Sequence, residues 1–299
     1  MATVYDLITD RIIEKLQQGT VPWQKPWNGA AGLPRNLSSQ KPYRGINVWM
    51  LGSAGYSSPY WLTFKQAKEI GGYVRKGEQG FPVVFWKWLE GGEKLEEREE
   101  SRTATRRVPL ARLYYVFNVQ QCDLPTRLQP FLQSKPESPD PQSQLAACEE
   151  ILTHMPNRPT ITHSDARAYY TPLHDTVNMP VCGLFPKVEH YYSVLFHELT
   201  HSTGHWQRLH RQTLTDLCPF GSTNYSKEEL VAEMGAAFLC GIAGIANETV
   251  DNSAAYIQSW LTKLKNDTRL VTLAAAQAQK AADYITGASG TQEETQPAE

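Results

Sequence analysis

The sequence contains a His-Glu-x-x-His pattern whose residue types and spacing could hold a metal ion. His197 and His201 are four residues apart in an apolar, helix-compatible run, so a helix would place both imidazoles on one face. Two imidazoles at that spacing can bind one zinc ion. Glu198 follows the first histidine and could act as a general base toward a water molecule that the metal activates. The pattern predicts a divalent metal centre, although two histidines can also share a helix face by chance.

A catalytic zinc site needs a third protein ligand, and the sequence offers one on a later helix. The longer His-Glu-x-x-His-x-x-Gly-x-x-His pattern fits through Gly204 and then fails, because position 207 is Gln207. Glu229 and Glu233 are four residues apart in a helix-compatible segment and would share a face. We predict that Glu229 is the third ligand and that Glu233 accepts a hydrogen bond that orients a ligand histidine.

A capping role is the alternative for Glu229. Ser226-x-x-Glu229 has the composition of a capping box, in which the glutamate closes the N-terminus of its helix and binds no metal. Glu228 and Glu233 would then be solvated charges. The residues alone leave this alternative open. Four other histidines are interpreted as ordinary polar or partly buried residues: His154, His163, His174 and His190.

Charge is unevenly distributed along the 299-residue chain. Residues 1–130 carry 18 Lys and Arg against 12 Asp and Glu, a net charge of +6, whereas residues 131–299 carry 11 against 19, a net charge of −8. Six of the eight tryptophans fall in the first part. This asymmetry indicates two parts with different functions. A chain of this length can form two domains, each with its own hydrophobic core.

Cysteine usage and hydropathy narrow the protein class. The five cysteines are odd in number, widely spaced and lack a Cys-x-x-Cys, which argues against a disulfide framework or a thiolate zinc site. That usage fits a reducing compartment. The first residues have an amphipathic pattern rather than that of a signal peptide, and no apolar run reaches the ~18 residues of a membrane span. We therefore expect a cytoplasmic protein with no membrane partner.

The order of predicted strands and helices, together with the charge asymmetry, predicts an α+β protein of two domains. The expected boundaries are a first domain at residues 1–130, a proline-rich linker at 131–141, a second domain at 142–286 and a disordered tail at 287–299. In the first domain, periodicity predicts helices at 3–18 and 63–70 and strands at 82–89 and 110–119, with a charged hairpin excursion at 90–107. In the second it predicts helices at 142–155, 189–204, 226–243, 252–265 and 268–285, and short strands near 159–163, 168–170 and 176–179.

Aromatic and basic residues interleave in the first domain. Exposed aromatic rings can stack on unpaired bases while Lys and Arg contact backbone phosphates, so the pattern is compatible with single-stranded nucleic acid. The candidate contacts are Trp23, Lys25, Trp27, Arg35, Lys41, Tyr43, Arg44, Arg75 and Lys76. The alternative is that the aromatic residues belong to the core. We favour the core for most of the later tryptophans: Trp49, Trp61, Trp86 and Trp88.

Seven longer segments carry unusual sequences. They are Tyr-Asp-Leu-Ile-Thr-Asp-Arg-Ile (5–12), Val-Pro-Trp-Gln-Lys-Pro-Trp (21–27), Tyr-Arg-Gly-Ile-Asn (43–47), Trp-Leu-Thr-Phe-Lys-Gln-Ala (61–67), Val-Arg-Lys-Gly-Glu-Gln-Gly (74–80), Asp-Thr-Val-Asn-Met-Pro (175–180) and Phe-His-Glu-Leu-Thr-His-Ser-Thr-Gly-His (196–205). Through these segments nearly the whole chain resembles the ArdC-type plasmid antirestriction proteins. The resemblance implies an N-terminal single-stranded-DNA-binding domain joined to a zincin-like metallopeptidase domain. It also implies protection of incoming plasmid DNA from host restriction during conjugation.

The resemblance also implies roles for residues of the predicted metal site, a cofactor and partners. In zincins with a glutamate third ligand, the acid four residues further on often braces a histidine, and Glu229 and Glu233 match those places. An edge strand before the histidine helix lies alongside the substrate in zincins, and residues 176–179 are the matching candidate. The implied cofactor is one divalent ion, zinc in first place and manganese or another divalent ion as the alternative. The implied partners are single-stranded DNA and a protein substrate or host restriction component.

Two other hypotheses compete with this interpretation. In one, the chain is a DNA-binding protein whose metal is structural or vestigial, without peptidase turnover. In the other, it is an ordinary peptidase with no role on DNA. We expect residues 1–130 alone to bind single-stranded DNA, with little sequence preference and in preference to duplex.

Overall fold

A computed structural model gives the fold. It describes residues 3–23, 32–90, 107–132, 140–215, 223–247 and 253–288. In the first part the elements are α1 (Val4–Gln17), β1 (Arg35–Asn36), α2 (Ile46–Gly52), β2 (Tyr60–Leu62), α3 (Phe64–Glu69), β3 (Tyr73–Val74), β4 (Phe81–Glu90), β5 (Arg107–Asn118), β6 (Cys122–Asp123) and α4 (Gln129–Leu132). In the second part they are α5 (Pro141–His154), β7 (Thr160–Thr162), β8 (Tyr169–Thr171), β9 (Thr176–Asn178), α6 (Val188–Ser202), α7 (Gln212–Thr215), α8 (Thr223–Ala243), α9 (Ala254–Asn266) and α10 (Leu270–Ile285).

The predicted elements are confirmed within a few residues of their ends, and local signals explain several starts. Thr3 caps α1 and Thr63 caps α3, each in a capping box with the residue three positions later. Asp140 caps α5 and is followed by proline at the first helical position. The predicted linker, residues 131–141, overlaps the last two residues of α4 and the first residue of α5. Much of the charged excursion and of the predicted tail, residues 91–106 and 289–299, lies outside the described residues.

The first domain is built on a four-stranded sheet in the order β1-β2-β5-β4. The strands β4 and β5 form a long antiparallel hairpin, from the pair Phe81 and Val116 to the pair Glu90 and Arg107. The strand β2 pairs antiparallel with β5, and β1 pairs parallel with β2. A separate two-stranded sheet joins β3 to β6. This mixed sheet with helices on the same chain confirms the α+β class.

The sheet of the second domain has the order β7-β9-β8. The strand β9 pairs parallel with β7 and antiparallel with β8, so residues 176–179 do not form an edge. The prediction that this segment lies alongside a substrate is therefore wrong, and β8 is an antiparallel edge strand instead. Strand order depends on pairing between distant segments, which the local pattern of three short strands does not encode.

One continuous hydrophobic core joins the two domains, contrary to the expectation of a separate core in each. Trp23 packs edge-on against Trp260 of α9, with ring centroids 5.8 Å apart, and Trp49 lies 4.6 Å from Phe238 of α8. Polar contacts cross the same boundary, including a hydrogen bond from Thr9 to the carbonyl of Thr268 at 2.6 Å. A smaller cluster belongs to the first domain alone: Leu37, Leu62, Ala67, Val119, Cys122 and Leu124.

The described residues bear on the expectations about membrane spans and disulfide bonds. None of the helices in the described ranges is both long and apolar enough to cross a membrane. Four of the five cysteines lie in those ranges and all four are free thiols: Cys122, Cys148, Cys182 and Cys240.

Candidate metal centre

The histidine helix α6 and the glutamate helix α8 pack directly against each other at a glycine. A β-carbon at Gly235 of α8 would lie 2.4 Å from Cγ2 and 2.7 Å from Oγ1 of Thr200 on α6. Only a residue without a side chain permits this approach. Thr200 precedes the second histidine of the motif, so the close contact sits beside the site and determines how near the two helices come.

Three side chains from these helices converge. The Nε2 atoms of His197 and His201 are 3.1 Å apart, and each lies 3.6 Å from a carboxylate oxygen of Glu229. Their ligand atoms all fall within 4.8 Å of one another. Two imidazole nitrogens and one carboxylate oxygen form a donor set that suits a divalent metal ion. The predicted grouping of these residues is therefore present in the fold.

The capping alternative for Glu229 does not hold, because α8 begins at Thr223. Ser226 is a buried residue inside the helix rather than the residue that precedes it. Glu229 lies nearly two turns into the helix, where its backbone environment needs no cap. Its side chain lies 3.6 Å from Nε2 of each of the two histidines.

Carboxylates surround His201. Burial by itself lowers the pKa of this imidazole, but the hydrogen bond with Glu228 and the charges of Glu229 and Glu198 outweigh it and raise the pKa to about 9. The local field therefore favours a positive charge at this point. A divalent cation held by the same groups would satisfy that field in place of a proton. Glu198, the predicted base, is buried on α6 next to the first histidine.

Glu228 contacts His201, which the sequence interpretation missed. Its side chain is buried, at 4% exposure, and its Oε1 lies 3.3 Å from Nδ1 of the histidine. It also accepts hydrogen bonds from Arg211 and, at 2.6 Å, from the hydroxyl of Thr213. Burial raises the pKa of Glu228, but its hydrogen bonds to His201 and Arg211 lower the pKa to about 2, so the side chain is a carboxylate. The capping alternative, which made it a solvated charge, is wrong here too.

Glu233 has different partners from those predicted. It accepts hydrogen bonds from Nε1 of Trp23 at 2.8 Å and from the hydroxyl of Tyr256 at 2.5 Å. Burial raises the pKa of its carboxyl group. Glu228 takes the place beside a ligand histidine that was assigned to Glu233. The four-residue spacing places Glu233 one turn further along α8, where the first domain packs against the helix, and no local pattern shows that contact.

Several predicted nucleic-acid contacts serve the fold instead. Trp23 is fully buried and Tyr43 is 4% exposed, so neither ring is open for stacking and the prediction is wrong for both. Arg44 forms an ion pair with Asp283 of α10. Arg75 donates to Glu78 at 3.0 Å and to the carbonyl of Gln120. Aromatic and basic residues at a domain boundary and at a turn produce the same sequence pattern as a binding surface.

The remaining predicted nucleic-acid contacts differ in their exposure. Lys41 and Lys76 are exposed, and Arg35 is partly buried in β1. Lys25 and Trp27 lie outside the described residues. Exposed aromatic side chains that the sequence interpretation did not select are Phe64, Tyr73, Trp86 and Tyr115. The signal available for finding the first two was the lysines near Phe64 and the Arg75–Lys76 pair after Tyr73.

The fold and this site define a two-domain protein with a zincin-like metallopeptidase domain. One family model, described as the N-terminal domain of anti-restriction factor ArdC, matches residues 2–117. Another, described as a zincin-like metallopeptidase, matches residues 147–277. Crystal structures of the antirestriction ArdC protein from R388 plasmid, metal-free and Mn(II)-bound, are each 39% identical with a TM-score of 0.72. The alignments cover 95% and 97% of this chain and 97% and 100% of those chains.

Curated relatives agree with this assignment. The uncharacterized protein y4eC of Sinorhizobium fredii (strain NBRC 101917 / NGR234) is 34% identical over 94% of this chain and 91% of its own length. The DNA primase TraC of Escherichia coli is 37% identical over 94% of this chain, but the chain spans only 20% of the length of that protein. The chain belongs to the ArdC antirestriction protein family.

Proposed function

We propose that this protein binds single-stranded DNA and carries a metal-dependent peptidase-type site, and that it protects incoming plasmid DNA from host restriction during conjugation. The observation that carries the proposal is the convergence of His197, His201 and Glu229 beside Glu198. Membership in an antirestriction family supports the biological role. A protein substrate or a host restriction component is the second proposed partner.

The three side chains fit a divalent metal, and we propose zinc. Within the described ranges the cluster offers three ligand atoms, which is the number typical of catalytic zinc, whereas structural zinc usually takes four. Manganese or another divalent ion is the alternative, because the ArdC protein from R388 plasmid has a Mn(II)-bound structure. The hard carboxylate of Glu229 is compatible with either ion.

The bound metal would supply Lewis acidity, polarising a peptide carbonyl and making water more acidic. Glu198 carries out the proton transfers in this proposal. Its carboxylate takes a proton from the attacking water and returns it to the leaving amine nitrogen. Among the described residues β8 pairs only with β9, and it contacts α6, so an extended peptide could pair with its other edge.

A surface on the first domain is proposed for single-stranded DNA. We call it the α3–β3 patch, and it consists of Phe64, Lys65, Lys68, Tyr73 and Lys76. The rings of Phe64 and Tyr73 are each 61% exposed, and the three lysines are exposed as well. Exposed rings next to lysines can stack on bases while the ammonium groups contact phosphates.

The catalytic part is tested with Glu198→Gln, which keeps side-chain size and removes the base. Conjugative transfer of unmodified plasmid DNA into a restricting recipient is measured with each variant. We expect Glu198→Gln to lose protection while keeping its metal content and its affinity for single-stranded DNA. Glu189→Gln is the matched control, since Glu189 lies on the same helix in its first turn. Full protection by Glu198→Gln would instead assign antirestriction to DNA binding alone.

The DNA-binding part is tested with Phe64→Ala and Tyr73→Ala in the full chain. Fluorescence anisotropy with a labelled oligonucleotide should show losses of about 1–3 kcal/mol for each ring that stacks on a base. Affinity should fall with salt at a log–log slope of about −0.7 per phosphate contact. Tyr169→Ala is the control, an exposed tyrosine in the second domain. Equal affinity for duplex and single strands, or binding indifferent to salt, would remove the stacking mechanism.

A further inference from the structure

Arg211 lies in the loop after α6 and is buried between the two helices that carry the ligand candidates. It donates from Nε to Oε2 of Glu228 at 3.1 Å and from Nη2 to Oε1 at 2.5 Å. It also donates to the carbonyl of Thr200 at 2.8 Å and to the hydroxyl of Thr203 at 2.6 Å. The guanidinium group therefore connects the C-terminal turn of α6 with the first half of α8.

Glu228 links this guanidinium group to a ligand candidate. Its Oε1 atom faces Nδ1 of His201 at 3.3 Å. The other ring nitrogen, Nε2, faces the site and lies 3.6 Å from Glu229. A carboxylate on the second nitrogen fixes the ring orientation and the tautomer of a metal-binding histidine. Glu228 is also the chain neighbour of Glu229, so holding one constrains the other.

We propose that Arg211 is a positioning residue for the metal centre. By holding Glu228 from one side and the end of α6 from the other, it fixes His201 relative to Glu229. This inference rests on the proposed metal site and adds a residue that does not touch the metal. A lysine could not replace it, because only the guanidinium fork can reach both carboxylate oxygens and the helix end together.

Gly204 makes room for this arrangement. A β-carbon there would lie 3.0 Å from Nη2 of Arg211 and 2.9 Å from Cδ2 of Leu214. The carbonyl of Gly204 also accepts a hydrogen bond from the backbone nitrogen of Arg211 at 3.0 Å. The glycine that matches the longer histidine pattern thus admits an arginine that supports the site.

Arg208, three residues earlier, provides a matched comparison. Its guanidinium group is also buried and binds both oxygens of Asp175, at 2.8 and 2.7 Å. It further donates to the carbonyl of Asn157. It also donates to the carbonyl of Ser202 at the end of α6, at 3.0 Å. None of these partners is a ligand candidate or Glu228, so replacing Arg208 tests the hold on the helix end without the carboxylate link to the site.

The test measures the zinc affinity of the full-length protein by competition with a chromophoric chelator, together with its unfolding temperature. Arg211→Lys and Glu228→Gln should weaken zinc binding by about 10- to 100-fold. Arg208→Lys should lower the unfolding temperature and leave zinc affinity within about threefold of wild type. Thr213→Val removes only one donor to Glu228 and should weaken zinc binding in the same direction by a smaller factor.

The outcomes separate the two proposals. Zinc affinity near wild type in Arg211→Lys and Glu228→Gln, with a lowered unfolding temperature, would overturn the positioning role and leave the metal site standing. If Arg211→Lys does not fold, unchanged affinity in both Glu228→Gln and Thr213→Val would overturn it equally. A wild-type chain that binds no zinc and no manganese would remove the proposed function, and this inference with it.

Discussion

Replacing Gly235 with alanine should separate the two helices of the metal centre. The new β-carbon would lie 2.4 Å from Cγ2 of Thr200, whereas ordinary contact begins near 3.4 Å, so one side must move by about 1 Å. Thr200 cannot rotate away cheaply, because it is β-branched, buried and bonded through Oγ1 to the carbonyl of Phe196 at 2.7 Å. The helices α6 and α8 must therefore shift relative to each other.

The shift should affect metal binding more than stability. Overpacking costs about 1–3 kcal/mol, and replacing a helical glycine with alanine returns about 1 kcal/mol of helix propensity. The net loss in unfolding free energy is then about 0–2 kcal/mol. Metal–ligand distances tolerate only about 0.2 Å, so a movement of about 1 Å between Glu229 and the histidines should weaken zinc binding at least tenfold.

A double-mutant cycle tests this prediction. Thr200→Ala removes Cγ2 and Oγ1 and leaves Cβ as the nearest atom, 3.1 Å from the new methyl group. Gly235→Ala combined with Thr200→Ala should therefore recover much of the zinc affinity that Gly235→Ala loses. Calorimetric titration of the four proteins gives the coupling energy. Unchanged zinc affinity in Gly235→Ala, or no recovery in the double variant, would refute the reasoning.

Three further predictions concern the site and the shared core. Glu229→Gln should lose metal while Ser226→Ala keeps it, as measured by elemental analysis, and metal retained in Glu229→Gln would argue against its role as ligand. Trp23→Phe removes the hydrogen-bond donor to Glu233 and should lower the unfolding free energy by about 1–3 kcal/mol. Its affinity for single-stranded DNA should not change. Weaker DNA binding at unchanged stability would contradict the assignment of Trp23 to the core. Residues 1–130 alone should fail to fold cooperatively in thermal denaturation, because Trp23 and Trp49 lose their partners, and a sharp transition would show an independent core.

The sequence was sufficient for features that depend on local spacing. The His-Glu-x-x-His spacing predicted the shared face of α6, and helix periodicity predicted α8 with Glu229 directed to the same place. Thr3 was predicted to cap the first helix, and it caps α1. These signals extend over a few residues, so they do not depend on which distant segments pack around them.

Contacts between distant segments were not predictable in this way. Arg211 and Glu228 are 17 residues apart, and nothing in either neighbourhood indicates that they meet. Trp23 and Glu233 are 210 residues apart, and their contact is not visible in either local sequence. The aromatic and basic segment around Trp23 was therefore interpreted as a nucleic-acid surface. The order of β7, β8 and β9 likewise depends on pairing that three short strands do not specify.

The metal content of the full-length chain tests the central claim most directly. The wild-type protein, His197→Ala and His201→Ala are each equilibrated with zinc, dialysed and analysed for bound metal. The convergence of three ligand atoms predicts one equivalent per chain in the wild type and almost none in either variant. Full occupancy in both histidine variants would contradict the assignment of this site.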